Sequence, residues 1–179
     1  IWSLVEAIAI WLTTWADSFV IGTLLNQYYL GLYKTSTTMV NTLMALITSA
    51  TTPIIFSSLS RLQNETEMFN NFFLRFQRLV SVFVFPIGVG VFLFSDLATQ
   101  ILLGNQWGQA SNIIGIWALT SSITIVFSHF CSEVYRSKGQ PRLSFFTQIV
   151  HLFFLIPTCI IAAKYGFWPL VYARSLIRF

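Results

Sequence analysis

Four ionisable residues fall where an ion is costly to place. Asp17 lies well inside an apolar run, Lys34 opens a stripe of polar residues, and Arg174 and Arg178 stand one helical turn apart near the end of the chain. Moving Asp, Lys or Arg to the centre of a membrane helix costs roughly 2.5 to 3.5 kcal/mol on insertion scales. An acid at that depth has three uses: a proton carrier, a Na⁺ ligand, or a structural hydrogen bond to a neighbouring helix. An arginine there either grips a phosphate with its planar fork or snorkels to the surface. Lys34, Arg174 and Arg178 in one cavity would suit an anionic headgroup such as a pyrophosphate.

Uncharged polar residues extend the pattern. Lys34, Thr38, Asn41, Ala45, Thr48 and Thr52 step by three or four, which puts them within about 40° of one line along a helix turning about 100° per residue. Such a stripe either lines a water-filled cavity or glues helices together. Glu6, Thr13 and Asp17 share a face by their spacing of seven and four, and Ser144, Thr147, Gln148, His151 and Thr158 run along another helix. His151 is either an interior side chain with its hydrogen bonds met or a ligand. A weaker stripe, Ser121, Thr124, Ser128 and Ser132, leads to Glu133.

The elements that must hold these residues are membrane spans. Hydrophobic residues make up 55% of the chain and charged ones 9%, against about a quarter charged in soluble domains, and mean hydropathy is +0.71. At about 1.5 Å per residue, five apolar runs can cross a core of about 30 Å. They are placed near residues 2–25, 37–58, 79–95, 111–134 and 144–163, and the start of a sixth covers 169–179, with Pro169 in its first turn. The expected fold class is an all-α polytopic transmembrane helix bundle of five full spans plus the start of a sixth. The chain is expected to be a fragment.

Basic residues crowd into alternate breaks. Arg61, Arg75, Arg78, Arg136, Lys138 and Arg142 lie on one side, against Lys34 and Lys164 on the other, so the positive-inside rule puts residue 1 in the cytoplasm. In the first basic break, Asn64 with Glu67 resembles a capping box, and Phe69, Phe72, Phe73 and Phe76 recur at helical spacing. That predicts an amphipathic cytoplasmic segment over 64–78, lying on the membrane surface before the third span. Pro53, Pro86 and Pro157 inside spans either kink a moving bundle or reflect the ordinary frequency of proline in membrane helices. Cys131 and Cys159 sit in separate apolar runs and form no metal or disulfide motif. The net charge of +4 is explained by the loops, so no nucleic-acid partner is expected.

Several strings together resemble a known family. They are Trp15-Ala16-Asp17-Ser18-Phe19-Val20-Ile21-Gly22, Leu30-Gly31-Leu32-Tyr33-Lys34-Thr35-Ser36, Pro53-Ile54-Ile55-Phe56-Ser57-Ser58-Leu59-Ser60-Arg61, Leu102 to Ala110, and Glu133-Val134-Tyr135-Arg136-Ser137-Lys138-Gly139. Their order resembles Wzx-type polysaccharide flippases of the multidrug/oligosaccharidyl-lipid/polysaccharide exporter superfamily, and the likeness is better to the C-terminal lobe. The resemblance implies that residues 1–179 are part of that six-helix lobe, one of two around a central cavity. It implies a transporter without covalent catalysis or cofactor. Undecaprenyl-pyrophosphate-linked oligosaccharide repeat units would cross the bacterial cytoplasmic membrane for capsule, exopolysaccharide or O-antigen synthesis, by alternating access coupled to Na⁺ or protons.

From the polar stripes and the charges at membrane depth, the expected cavity residues are Lys34, Thr38, Asn41, Thr48, Arg174 and Arg178; the resemblance carries over Asp17 as an ion-coupling residue, with Gln148 and His151 of the fifth span as the other coupling candidates. The seventh to eleventh helices and part of the twelfth would be present, and partners would be the lipid-linked oligosaccharide, membrane lipids, the N-terminal lobe of the same chain, a polysaccharide polymerase and other assembly proteins. In place of a second carboxylate the fifth helix offers Thr147, Gln148 and His151, which leaves Na⁺ and proton coupling both open. The alternatives are a multidrug or cation exporter of the same superfamily, which would favour acidic cavity residues, and a membrane-embedded transferase. The latter needs clustered acids or His at a membrane surface, where the loops supply only Glu65, Glu67 and Asp96.

Overall fold

A computed structural model describes residues 2–178, apart from the side chains of Trp2, Ser3, Leu4, Glu6 and Pro141. The expected alignment of Glu6 with Thr13 and Asp17 therefore lies outside the described residues. Eight α-helices are present among them, with no strand. Helix α1 (Trp2–Leu24) has 23 residues, or about 34 Å, enough to cross a hydrocarbon core. The chain turns within two residues, because the Asn26 side chain accepts the Tyr29 N–H at 3.0 Å and starts α2. Helix α2 (Gln27–Arg61) runs 35 residues, longer at both ends than the expected 37–58. Lys34 thus sits in its second turn and not in a loop.

Helix α3 (Thr66–Leu93) corrects a second boundary. The expected surface segment over 64–78 and the span over 79–95 are one continuous helix. Its N-cap is Glu65 and lacks a side-chain capping bond, so the Asn64 capping box does not form. The aromatic face is occupied by protein instead of membrane surface. Phe69 is buried, Phe72 stacks on Phe76 at 6.0 Å, and Phe76 meets Phe130 edge-on at 5.6 Å.

The fourth span is composite. A short α4 (Ser95–Leu102) and a 3₁₀ turn (Asn105–Ala110) precede α5 (Ser111–Thr124), a π-helical turn (Ile125–His129) and α6 (Phe130–Ser137). Gly104 joins α4 to the 3₁₀ turn with φ of 90°, a value that side chains with a Cβ rarely adopt. The π turn is bridged from α3, where Gln77 donates to the Val126 carbonyl at 2.9 Å. Pro53, Pro86 and Pro157 all lie inside continuous helices, and the break in α-helical pattern occurs at this proline-free turn.

Helix α7 (Pro141–Lys164) begins with its proline in the first turn, and α8 (Phe167–Leu176) follows Gly166. Helix α8 starts two residues before the expected Pro169. The most extensive packing joins α1 to α7, α3 to α5, and α2 to α5 and α6, with α8 set against α7 and α5. Five helical stretches are long and apolar enough to cross a membrane: Ala7–Leu24, Gln27–Arg61, Thr66–Leu93, Asn105–Ser137 and Arg142–Lys164. Their outward faces carry Phe19, Val82, Phe83, Phe127 and Phe153, all mostly exposed. The molecule is an all-α, multi-pass membrane protein.

Candidate functional site

Helical spacing converges four elements on one polar cavity. Thr13, Thr14, Asp17 and Ser18 of α1 meet Tyr33, Lys34, Thr37, Thr38 and Asn41 of α2, Trp117 of α5, Arg174 of α8, and Arg178 two residues beyond the end of α8. Within α1 and α2 these positions step by one and three, so that each recurs after four residues, which keeps them on one face. The cavity volume is about 140 Å³. That equals roughly five waters at about 30 Å³ each, and lies below the usual 300–1,000 Å³ of small-molecule sites. A phosphate-sized group fits, whereas a whole glycan does not.

The single carboxylate among the described lining residues is fully engaged. Asp17 Oδ2 accepts from Arg174 Nε at 3.0 Å and from the Tyr33 hydroxyl at 2.8 Å. Its Oδ1 accepts from the Ser18 backbone N–H at 2.6 Å and from the Ser18 hydroxyl at 3.2 Å. Asp17 and Arg174 are both buried. Breaking such a pair leaves an uncompensated charge, which is why the partners hold each other in place. Arg174 Nη1 and the neighbouring Ser175 Oγ are buried without a hydrogen-bond partner in the described protein.

The other two cations are held by neutral groups. Lys34 Nζ donates to Ser18 Oγ at 3.3 Å and lies 4.1 Å from the centroid of the Trp15 ring. Arg178 donates to Ser121 Oγ at 2.7 Å and, at 3.5 Å, to Asn41 Oδ1, with its guanidinium 4.3 Å from the Trp117 ring. The indole N–H of Trp117 donates to the same Asn41 oxygen at 3.1 Å. Cation–π contact orients a guanidinium or ammonium without neutralising it. Three cations therefore face one carboxylate in the cavity wall.

Not every expected residue reaches this cavity. Lys34, Thr38, Asn41, Arg174, Arg178 and Asp17 line it, but Thr48, Gln148 and His151 do not. The Thr48 hydroxyl bonds back to the Met44 carbonyl, and farther along the stripe Thr52 pairs with His129 at 3.1 Å. The α2 stripe thus divides between cavity and packing. Gln148 stands behind the wall and donates to Thr13 Oγ1 at 2.7 Å, while His151 Nε2 pairs with the Ile177 carbonyl at 3.1 Å, one residue before Arg178.

Sequence reasoning missed Tyr33, Trp15 and Trp117. Tyr33 was signalled only by its position beside Lys34 and its four-residue interval to Thr37. The aromatic rings carry no polar periodicity that would separate them from membrane-facing aromatics.

A family model described as polysaccharide biosynthesis protein matches residues 1–112. The chain belongs to this family. The match takes in Asp17, Lys34, Thr38, Asn41 and Thr48 and stops before Gln148, His151, Arg174 and Arg178. No curated protein and no solved structure matches the chain. The multi-pass bundle and the family together make this a membrane protein of polysaccharide biosynthesis.

Proposed function

We propose that the protein is a transporter that flips lipid-linked oligosaccharide across the bacterial cytoplasmic membrane, and that the cavity receives the phosphate end of the lipid carrier. The observation that carries this reading is the excess of cations: Lys34, Arg174 and Arg178 share a polar cavity in which Asp17 is the only acid among the described residues. Arginine forks and an ammonium suit a diphosphate. A cationic drug would meet three like charges and one acid already paired to Arg174, which disfavours the multidrug reading. The work done is movement without covalent catalysis.

Coupling follows from the same ion pair. An anion that bonds Arg174 competes with Asp17 for it, and an Asp17 that loses Arg174 must take up a proton or Na⁺ to stay buried. Substrate and ion then occupy linked positions, with Gln148 and His151 bracing the wall through Thr13 and Ile177. Polymer export in cells, measured with Lys34→Gln and Arg178→Gln while membrane levels are monitored, tests the reading. Export should fall by about tenfold or more for each variant, since one charged hydrogen bond contributes about 1.5–3 kcal/mol. Normal export by both variants would overturn it.

A further inference from the structure

A second polar pocket lies on the outside of the bundle, where α3 packs against the π turn of the fourth span. It encloses about 310 Å³, at the lower end of the range of small-molecule sites. Its apolar walls are Leu74, Phe85 and Phe127, and its polar groups come from Gln77, Arg78 and Ser81. It shares no lining residue with the cationic cavity.

The residues of α3 set the depth of this pocket. From Leu79 to Leu93 the helix carries no charged residue, and Leu79, Val82, Phe83 and Leu93 are exposed along it. That stretch spans about 22 Å, most of a hydrocarbon core of about 30 Å. Arg75 and Arg78 come immediately before it. The boundary between water and hydrocarbon on this face of α3 therefore falls near Arg78, whose long stem lifts the guanidinium to headgroup level.

The polar groups there are not equally free. Gln77 donates to the Val126 carbonyl at 2.9 Å, and the Ser81 hydroxyl donates to the Arg78 carbonyl at 2.7 Å. Arg78 is exposed, and its side chain makes no hydrogen bond or ion pair with the described residues. Its five N–H donors stay open.

We infer that this pocket binds an anionic phospholipid, with the phosphodiester on Arg78 and the upper part of an acyl chain along Phe85 and Phe127. The inference stands apart from whatever the cationic cavity carries. Charge selects the headgroup: the described lining holds one cation and no acid. A lipid of net negative charge gains the ion pair, whereas the ammonium of a zwitterionic headgroup finds no carboxylate. Free phosphate lacks the chain that the aromatic walls cover. From Arg78 to Phe85 the helix rises about 10 Å, within the roughly 15 Å of one leaflet's hydrocarbon.

The lipid also reaches the π turn. Val126 and Phe127 belong to that turn, and both line the pocket together with Gln77, the donor to the Val126 carbonyl. An occupant keeps water from this cross-helix bond, and so it steadies an interruption in the α-helical ladder.

The test places the full-length protein in phosphatidylcholine nanodiscs with a photoreactive phosphatidylglycerol whose diazirine lies in the upper half of an acyl chain. Crosslinks should map to Phe85 and Phe127. Unlabelled phosphatidylglycerol should suppress them, and added phosphatidylcholine should not. Arg78→Gln should lower labelling by about fivefold, the weight of one basic residue at an anionic membrane surface, and Arg78→Lys should keep most of it. Arg61→Gln, exposed at the same end of the bundle and outside the pocket, should leave labelling unchanged. Amide exchange around Ile125–His129 should slow when phosphatidylglycerol replaces part of the phosphatidylcholine, in the wild type and not in Arg78→Gln. Equal suppression by phosphatidylcholine, an equal loss in Arg61→Gln, or full labelling of Arg78→Gln would overturn the site. Unchanged exchange in the wild type would overturn its link to the π turn.

Discussion

Asp17 gathers the Ser18 backbone and hydroxyl, the Tyr33 hydroxyl and the Arg174 guanidinium around one carboxylate. Replacing it with Asn removes the charge that balances a buried arginine, so Asp17→Asn should lower stability by about 3–5 kcal/mol. Thermal unfolding of the purified protein in detergent would show this, and the double variant Asp17→Asn/Arg174→Gln should recover much of the loss. A single variant as stable as the wild type would mean that the pair does not hold α1 to α8. The ionic members of this site were legible in the sequence because charges inside apolar runs are rare enough to mark themselves. Their pairing was not legible. Asp17 and Arg174 are 157 residues apart, and no local spacing says that the acid assigned to coupling and the arginine assigned to the ligand bond to each other.

At the scale of elements, α3 packs closely on α5 at Gly88. A Cβ added there would lie 2.5 Å from Ser122 Oγ and 3.1 Å from the Ala118 carbonyl. Gly88→Ala should therefore destabilise the bundle by about 1–3 kcal/mol through overpacking, measured as a lower unfolding temperature. Pairing with Ser122→Ala, which removes the closest atom, should reduce the loss. The π turn makes a separate prediction. Gln77→Leu strips the Val126 carbonyl of its cross-helix donor, at a cost of about 1–3 kcal/mol, and amide exchange should quicken around Ile125–His129. Unchanged exchange would mean that Gln77 does not secure the turn.

Long apolar runs made the spans readable, and their ends were misread for a physical reason. Lys34, Arg75 and Arg78 suggested water-facing breaks, but a helix of 35 or 28 residues exceeds the hydrocarbon core and carries its charges on exposed or cavity-facing turns. The aromatic positions from Phe69 to Phe76 had the right period for a helix and no means of telling protein from lipid as its partner. The π turn had no residue signature at all, since Pro53, Pro86 and Pro157 pointed elsewhere.

Over the whole molecule, apolar exteriors face outward and the polar side chains of α1, α2, α5 and α8 turn inward to one cationic cavity. The chain belongs to a polysaccharide biosynthesis family, and under the proposed function the anion this cavity takes is the phosphate end of a lipid carrier. Translocation of a fluorescent polyprenyl-diphosphate saccharide by the full-length protein in proteoliposomes is the most direct test. The wild type should move the lipid, and the double variant Lys34→Gln/Arg178→Gln should reduce the rate by about a hundredfold, two charged hydrogen-bonding groups at about 1.5 kcal/mol each. Transport at the wild-type rate by the folded double variant would contradict the account.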